Sequence, residues 1–417
     1  MNFFSLTAAL ILATSFCVAA QDIPLPTIPT TVFNITNYGA VGDGKTLNTI
    51  AIQKAIDACA AAGGGTVLVP AGKFIFGPII LTSSLNLHLD KGAMLLISDD
   101  LKNYPIKSKR YQDCITAANA HDIEISGQGV IDGQGEAWWQ AFAANQKMTH
   151  RPYMAKLSGC TRVYVHDVTF QNSPMFHFVP ENCTDVTIEH IKIKSPARAA
   201  NTDGIDPSGW NFLIADCTID TGDDNIAIKP AGGRTPGDKN FLVKNCTFLH
   251  GHGMSVGGGT ANGLENLTVS NCTFNGTDSG IRIKTPRGNG GLLQNAVYEN
   301  ITMHDVKNPI YINDYYPERT APKDPATEKA EPVTDRTPIT KDIMIRNVTI
   351  TDSPNAGTIQ GLPEAPISNL IFSNVNISAK TGMIIYHARG VQFINSKITV
   401  ADGKSLITYD AEISGMK

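Results

Sequence analysis

Residues 210–219 read WNFLIADCTI, residues 239–248 read KNFLVKNCTF and residues 265–274 read ENLTVSNCTF. Each copy has alternating apolar positions, then Asn or Asp, then a second short run of strand-forming residues. Further copies begin at His121, Thr161, Thr184, Gln294, Lys341, Ser368 and Arg389. Between Val163 and Ala296 the aligned positions lie 23, 26, 29, 26 and 29 residues apart. This internal repeat decides the fold.

The length and content of the repeat indicate a β-helix. A period of roughly 20 to 50 residues is typical of solenoids and propellers, and propeller blades usually need about 40 residues. In a β-helix, the strands of each coil pair in parallel with the coils above and below, so equivalent residues stack about 4.8 Å apart. Asn suits the turns because it tolerates the left-handed backbone region. We predict an all-β fold, a single-stranded right-handed parallel β-helix.

Two segments break the repeat. Residues 48–62 (NTIAIQKAIDACAAA) place apolar residues at helical spacing, and Gly63, Gly64 and Gly65 end that pattern. We expect a short N-terminal helix that caps the first coil, because a solenoid needs covered ends. The segment from residue 316 to residue 340 is rich in proline and charge, which predicts a long surface loop.

The first 20 residues indicate secretion. Phe3 to Ala19 is apolar and free of charge, and small residues precede Gln21, although no Lys or Arg comes before the apolar run. The alternative is a buried N-terminal strand or helix, since the run is short for a membrane span. We predict a signal peptide over residues 1–20 and one β-helix domain over residues 21–417, secreted to the extracellular space and monomeric.

Composition excludes several classes of protein. The chain has 417 residues, 42% of them hydrophobic, which is enough for a large core and argues against disorder. Its formal charge of -4 and its pI near 6.2 lack the basic surplus of a nucleic-acid binder. We therefore expect no nucleic-acid partner and no membrane partner. A mildly acidic protein can still bind an acidic polysaccharide, but only through a locally basic cleft.

Seven cysteines lie beyond the predicted signal, and an odd number leaves at least one thiol unpaired. Cys217, Cys246 and Cys272 share one local pattern, Asp or Asn followed by Cys-Thr. We interpret them first as buried apolar fillers and second as disulfide partners. Cys160 and Cys183 share a C-T-x-V pattern and are the first pair to test for a disulfide.

Aligning four successive coils brings polar residues into one column. The inward apolar positions of these coils hold Ile205, Ile226, Met254 and Ile281. The positions two residues earlier hold Asp203, Asp224, His252 and Ser279. Because equivalent residues of a parallel β-helix stack, Asp203, Asp224 and His252 should lie in one column on the surface of the helix.

Further charged residues surround this column. Asp223 is the neighbour of Asp224. Arg282 and Lys284 share one strand face because side chains alternate along a strand, and Lys229 aligns with Lys284 from two coils earlier. Three carboxylates this close disfavour joint ionisation, so one should have a raised pKa and the group should titrate as a coupled set. Glycoside hydrolysis needs such a set, because one acid protonates the leaving oxygen while a carboxylate activates water.

Four motifs at these positions resemble glycoside hydrolase family 28, the polygalacturonase family. They are Asn201-Thr202-Asp203, Gly222-Asp223-Asp224, Gly251-His252-Gly253 and Arg282-Ile283-Lys284. They occur in order and at β-helix spacing, and the resemblance covers nearly the whole chain beyond the predicted signal. Any one motif alone would be weak, whereas the ordered set is specific.

The resemblance implies hydrolysis of α-1,4-galacturonosyl linkages in pectin with inversion at the sugar. Asp223 matches the general acid of the family. Asp203 and Asp224 match the pair that positions and deprotonates water, and His252 matches the histidine that supports the acid. The resemblance implies no cofactor and no metal ion.

The resemblance also assigns residues to substrate binding. Arg282 and Lys284 match residues that bind a galacturonate carboxylate, a role that suits the bidentate fork of Arg and the point charge of Lys. Tyr315 lies where the family carries a tyrosine in the cleft, and Tyr311 is a rival for that position. The sequence departs from the family at Asn225, where many members carry a cysteine.

Other functions and local interpretations remain open at this point. A rhamnogalacturonan or xylogalacturonan hydrolase is the nearest alternative. A pectate lyase would share the architecture but would use calcium and a base, and its unsaturated products would absorb ultraviolet light. A non-catalytic β-helix carbohydrate-binding protein would have no reason to gather three carboxylates. For Asp223 and Asp224 alone, a solvated turn or a calcium site is the alternative.

Some residues near the motifs match none of them. Asp206 and Asp220 are interpreted as turn or supporting residues. Trp138 and Trp139 could stack on a sugar, but tryptophan pairs more often pack in the interior. His177 lies near the cleft side of its coil.

Overall fold

The computed structural model describes residues 22–147, 150–230, 237–317 and 324–416. The chain winds as a right-handed parallel β-helix with three stacks of strands along its axis, which confirms the all-β prediction. The predicted signal over residues 1–20 lies outside the described residues. None of the helices in the described part of the chain is long and apolar enough to cross a membrane.

Most coils contribute one strand to each of three parallel stacks, and one coil contributes only the bridging residue Ile205 to the third. The first stack contains Val32–Asn34, Gly65–Val69, Leu85–Leu89, His121–Gly127, Thr161–His166, Cys183–Glu189, Gly209–Ala215, Asp238–Lys244 and Leu264–Ser270. The second contains Asp43–Leu47, Gly72–Phe76, Ala93–Ile97, Val130–Asp132, Thr169–Gln171, Lys192–Lys194, Thr218–Asp220, Thr247–Leu249, Thr273–Asn275 and Lys397–Val400. The third contains Ile79–Ile80, Ile115–Ala118, Ala155–Ser158, Phe178–Glu181, Ile226–Ile228, Met254–Gly257, Ser279–Lys284, Asn308–Asn313 and Thr358–Gln360.

Towards the C-terminal end, strands of neighbouring stacks merge into longer ones. The first and second stacks are joined by Leu292–His304, Ile339–Asn355 and Ile367–Thr381. The third and first stacks are joined by Met383–Ile394 and Leu406–Ser414. The last of these strands forms the C-terminal end of the described solenoid.

Backbone pairing reproduces both alignments made from the sequence. The in-register positions of the first stack include Val163, Val186, Phe212, Phe241, Leu267 and Ala296. Those of the third stack include Ile205, Ile226, Met254 and Ile281. The repeat and the column alignment are therefore confirmed. Because the apolar positions are paired in register, the polar residues two positions before them are aligned from coil to coil as well.

The interior is a continuous apolar column. Phenylalanine rings of adjacent coils stack on one another, as Phe212 and Phe241 do with ring centres 4.7 Å apart. The interpretation of Cys217, Cys246 and Cys272 as apolar fillers is confirmed, since each is buried and outside any disulfide. Cys59, Cys114, Cys160 and Cys183 are buried as well, and in the described part of the chain no disulfide joins Cys160 to Cys183.

An asparagine ladder runs along left-handed bends near the start of the first-stack strands. Asn211, Asn240 and Asn266 have positive φ angles of 60°, 62° and 62°. The Asn240 amide donates to Asn211 Oδ1 at 3.0 Å, and the Asn266 amide donates to Asn240 Oδ1 at 3.0 Å. Because a carboxamide both donates and accepts, each asparagine satisfies its neighbour along the axis. The expected left-handed asparagine turns are confirmed.

The ends and loops also follow the sequence. Helix α1 (Thr49–Ala61) buries Ile52 and Ile56 over the N-terminal coils, which confirms the predicted capping helix. Between residues 324 and 338, the described chain forms one 3-10 turn and no strand, as expected of the predicted surface loop. The remaining elements are helix α2 (Glu136–Ala144), the antiparallel strands Ile106–Lys107 and Arg110–Tyr111, and the 3-10 turns Ile35–Tyr38, Leu101–Asn103 and Pro325–Thr327.

Candidate active site

The predicted acids meet where successive coils enter the third stack. They line a cavity of about 470 Å³ together with Lys229 and Lys284. The exposed fractions of the Asp203 and Asp224 side chains are 4% and 3%, whereas that of Asp223 is 22%. Two carboxylates therefore form the floor of the cavity, and the third lies nearer its opening.

Asp224 is held by two cations. Arg282 Nη1 donates to Asp224 Oδ1 at 2.8 Å, and Lys284 Nζ donates to Oδ2 at 2.6 Å. The Ser255 hydroxyl also donates to Oδ1 at 2.8 Å. Burial alone would raise the pKa of Asp224, but Lys284 and Arg282 outweigh burial and hold the pKa well below its ordinary value. Asp224 is therefore ionised, and in the free protein it binds the two cations that the resemblance assigns to substrate.

Asp223 lies against His252. His252 Nδ1 is 3.0 Å from Asp223 Oδ1 and 3.7 Å from Asp224 Oδ1. Burial would raise the pKa of Asp223, and so would the charge of Asp224. The hydrogen bond from His252 and the charges of His252 and Lys284 nevertheless lower this pKa on balance. The residue that matches the general acid therefore favours its ionised form in this arrangement of charges.

Two glycines place His252 beside the acids. Gly251 and Gly253 have φ angles of 72° and 69°, and a Cβ atom at Gly253 would lie 2.0 Å from the Ser279 carbonyl oxygen. The backbone N–H of Gly253 donates to Asn225 Oδ1 at 2.8 Å. Asn225, the position that departs from the family, thus fixes the turn that carries His252.

A second chain of side chains reaches Asp223 from the opposite side. Arg151, which is 2% exposed, donates from Nη2 to Asn201 Oδ1 at 2.8 Å. The Asn201 amide lies 3.3 Å from Asp223 Oδ2 and donates to it. Sequence reasoning did not single out Arg151, because it belongs to no motif and lies 50 residues before Asn201.

Asp203 is paired with a lysine that a second aspartate shares. Lys229 Nζ donates to Asp203 Oδ2 at 2.9 Å and also to Asp206 Oδ2. Burial raises the pKa of Asp203 well above its ordinary value, the charge of Asp206 adds to the rise, and Lys229 opposes it. The raised pKa expected for one member of the cluster therefore belongs to Asp203.

The cluster also has the shape of a possible metal site. Ligand atoms of Asp223, Asp224 and His252 lie within 4.8 Å of one another. Both oxygens of Asp224 already accept hydrogen bonds from Arg282 and Lys284, so a metal ion would have to displace two buried ion pairs. These residues therefore fit Ca²⁺ poorly, because Ca²⁺ takes about six to eight oxygen ligands.

Two adjacent tyrosines point to different places. Tyr315 is 4% exposed and its hydroxyl donates to Glu328, so Tyr315 does not line the cavity. Tyr316 does line it, with Lys284 Nζ 5.4 Å from the centre of its ring. Tyr311 is 8% exposed and is not part of the cavity wall. The substrate role of Tyr315 stays a prediction, and Tyr316 joins it as a candidate that sequence reasoning missed.

The remaining candidates pack beneath or beside the site. Trp138 and Trp139 are 0% and 8% exposed, which confirms that they pack in the interior. His177 is fully buried, with Nδ1 at 3.0 Å from the backbone carbonyl oxygen of Asp203. His177 therefore supports the turn that carries Asp203 and lies below the cavity.

Comparison with known proteins shows the family. The protein-family model described as "Glycosyl hydrolases family 28" matches residues 59–397 of this chain. The chain belongs to glycosyl hydrolase family 28. A polygalacturonase of Juniperus ashei is 33% identical over 370 residues, which are 85% of this chain and 69% of that protein. An endo-polygalacturonase of Pectobacterium parmentieri is 32% identical over 355 residues, which are 79% of this chain and 87% of that protein.

Solved structures agree with the family 28 assignment. An exopolygalacturonase from Thermotoga maritima superposes with a TM-score of 0.77 at 25% identity and covers 94% of each chain. The predicted resemblance is therefore confirmed, and this family 28 member is a glycoside hydrolase.

Proposed function

We propose that this family 28 hydrolase is a secreted polygalacturonase that cleaves α-1,4-galacturonosyl linkages in pectin with inversion. The observation that carries the proposal is one cavity that holds three carboxylates beside Arg282 and Lys284. Its relatives in Juniperus ashei and Pectobacterium parmentieri are named as polygalacturonases, which supports the same substrate class. The apolar sequence of residues 1–20 supports secretion.

The positions of the carboxylates support distinct roles. Asp223 is the most exposed of the three and lies beside His252, so it is the group placed to protonate the leaving oxygen. Asp203 and Asp224 lie deeper and hold the water that attacks the opposite face of the sugar ring. Protonation of the leaving oxygen and deprotonation of the water then occur on opposite sides of one bond, which inverts the anomeric centre.

Substrate binding would change the charges around Asp223 and favour its protonated form. In the free protein, Lys284 binds Asp224, and its charge lowers the pKa of Asp223. A galacturonate carboxylate bound to Arg282 and Lys284 would add a negative charge and share their donors. The pKa of Asp223 would therefore rise when substrate binds, and the protonated general acid would form in the complex.

The direct test is to incubate the mature protein, residues 21–417, with de-esterified polygalacturonate. We expect new reducing ends without a rise in ultraviolet absorbance, because hydrolysis creates no double bond. The lengths of the products distinguish internal cleavage from release at a chain end. Rising absorbance would establish a lyase instead, and turnover of only rhamnogalacturonan or xylogalacturonan would reassign the substrate. Binding without turnover would establish a carbohydrate-binding protein.

The two adjacent tyrosines should respond differently to substitution. We expect Tyr316→Ala to raise KM about 3- to 10-fold with little change in kcat, since an aromatic contact is worth about 0.5–1.5 kcal/mol. We expect Tyr315→Phe to lower the melting temperature and leave KM unchanged, because it removes a buried donor to Glu328. Steady-state kinetics and thermal unfolding of both variants check this. If KM rises in Tyr315→Phe and not in Tyr316→Ala, Tyr315 is the tyrosine that contacts the substrate.

A further inference from the structure

Lys229 is clamped on the cavity wall between acidic and aromatic groups. Its Nζ donates to Asp203 Oδ2 at 2.9 Å and to Asp206 Oδ2, and it lies 4.0 Å from the centre of the Phe176 ring. The Asp206 side chain is 1% exposed, whereas the Lys229 side chain is 34% exposed toward the cavity. A cation in this position is restrained from both sides, because the carboxylates attract it and the ring face supports it.

The aromatic support is itself fixed in place. The Phe176 and Tyr153 rings stack with centres 4.7 Å apart and planes 12° apart. The Arg110 guanidinium lies 3.9 Å from the centre of the Tyr153 ring, and it donates to Asp113 at 3.0 Å. The layered order of Arg110, Tyr153, Phe176 and Lys229 leaves the lysine little freedom to swing away from Asp203.

Lys229 also determines which oxygen of Asp203 is occupied. It binds the Oδ2 atoms of Asp203 and Asp206. Within residues 22–147, 150–230, 237–317 and 324–416, the Oδ1 atom of neither aspartate has a hydrogen-bond partner. Both Oδ1 atoms are buried from solvent, so among the described residues the contact with Lys229 is what orients each carboxylate.

We infer that Asp206 and Lys229 are positioning residues for Asp203, which they hold in one orientation and in one balance of charge. This inference rests on the proposed hydrolase function, in which Asp203 acts on the attacking water. Neither residue touches the reacting atoms in this account. Asp206 fixes the lysine, and the lysine fixes the aspartate that is proposed to act on the water.

The charges on the two residues act on Asp203 in opposite directions. Burial and the charge of Asp206 raise the pKa of Asp203, and Lys229 lowers it. Burial raises the pKa of Asp206 itself to about 6, again opposed by Lys229. Asp206 and Asp203 raise the pKa of Lys229 despite its burial, so the lysine stays charged. Among the described residues, Asp223, Asp224, Arg151 and Lys284 also act on these groups, and Glu181 and Tyr153 line the same cavity.

The test is the pH profile of kcat/KM with polygalacturonate. The acidic limb reports the group that must be ionised, which is Asp203 in this account. We expect Asp206→Asn to move that limb to lower pH by about 1 unit, and Lys229→Met to move it to higher pH by about 1–3 units. Lys229→Arg, which keeps the charge, should restore the limb to near its original position. The control is Lys239→Met, since Lys239 lies over Trp210 and outside the cavity.

Each outcome of this experiment decides the inference. Shifts of the acidic limb in opposite directions in Asp206→Asn and Lys229→Met support the inference. If Lys229→Met does not fold, a shift of the limb to lower pH in Asp206→Asn is sufficient support. An unmoved limb, or shifts in the same direction, overturns it, as does failure of all these variants to fold, which would make the pair purely structural. If the unaltered protein releases no reducing ends, the proposed function fails first, and that failure is visible before any variant is compared.

Discussion

Replacing Asp223 with asparagine should remove nearly all turnover while substrate still binds. The carboxamide keeps the shape of the side chain and can still accept the hydrogen bond from His252, which lies 3.0 Å from Asp223 Oδ1. It has no proton to release to the leaving oxygen. We therefore expect kcat to fall about 10²- to 10⁴-fold, the usual contribution of a general acid. Reducing-end assays measure kcat, and calorimetry with an oligogalacturonide measures binding.

A neighbouring aspartate provides the matched control. Asp220 lies three residues earlier, and its carboxylate pairs with His250 at 2.8 Å on the surface. Asp220→Asn makes the same chemical change outside the cavity, so it should leave kcat within about 2-fold of the unaltered protein, as expected of a surface substitution. Equal losses in the two variants, or full activity in Asp223→Asn, would contradict the role proposed for Asp223.

Replacing Lys284 with methionine should have the largest effect on stability. The Lys284 side chain is 6% exposed and Asp224 is 3% exposed, with Nζ 2.6 Å from Oδ2. Methionine would leave the Asp224 charge buried with one fewer partner. Removing one member of a buried ion pair costs about 3–5 kcal/mol. We expect a loss of that order in the free energy of unfolding, together with a raised KM, because the proposed carboxylate contact is also lost.

The same substitution should change how stability depends on pH. The pKa of Asp224 is depressed in the folded protein, so its stabilising contribution is present above the unfolded value of about 4 and is lost as the pH falls below it. Without Lys284 the folded pKa rises toward that value. The acid-unfolding midpoint of Lys284→Met should therefore lie at higher pH. Denaturant and acid titrations followed by circular dichroism measure both effects.

A surface lysine separates this effect from a general loss of charge. Lys307 is 70% exposed, and its Nζ lies 3.3 Å from Asp278 Oδ1. Lys307→Met should change the free energy of unfolding by less than about 1 kcal/mol, as is usual for exposed ion pairs. A similar change in both lysine variants would show that the contact between Lys284 and Asp224 contributes little.

The fold and the acid column could be predicted because both depend only on spacing. In a parallel β-helix, backbone hydrogen bonds force equivalent residues of adjacent coils into register. The alignment of Ile226, Met254 and Ile281 was therefore enough to place the polar residues two positions before them. The spacing of the motifs and the register of the strands place the same residues in the column, so the sequence prediction and the structure agree on it.

The partners within the site could not be read from spacing. Arg282 and Lys284 were expected to face a substrate carboxylate, and in the free protein both bind Asp224. That choice depends on side-chain length and rotamer, which register does not determine. Tyr316 lines the cavity while Tyr315 turns to Glu328, because the path of the connecting chain after the third-stack strand sets their directions. Such a path follows no repeat.

The cavity lies in the middle of the solenoid, away from the terminal coils where local unfolding would begin. Each coil contacts only its immediate neighbours, so a solenoid can melt from one end while its middle remains paired. Helix α1 covers one end, whereas the last described strand, Leu406–Ser414, leaves Ile407 and Tyr409 46% and 39% exposed. The residues from Asp203 to Lys284 lie several coils away from that strand. On heating, the C-terminal coil can therefore unfold locally while the carboxylates keep their spacing. The same partial unfolding would inactivate a solenoid whose active site lay in its terminal coil.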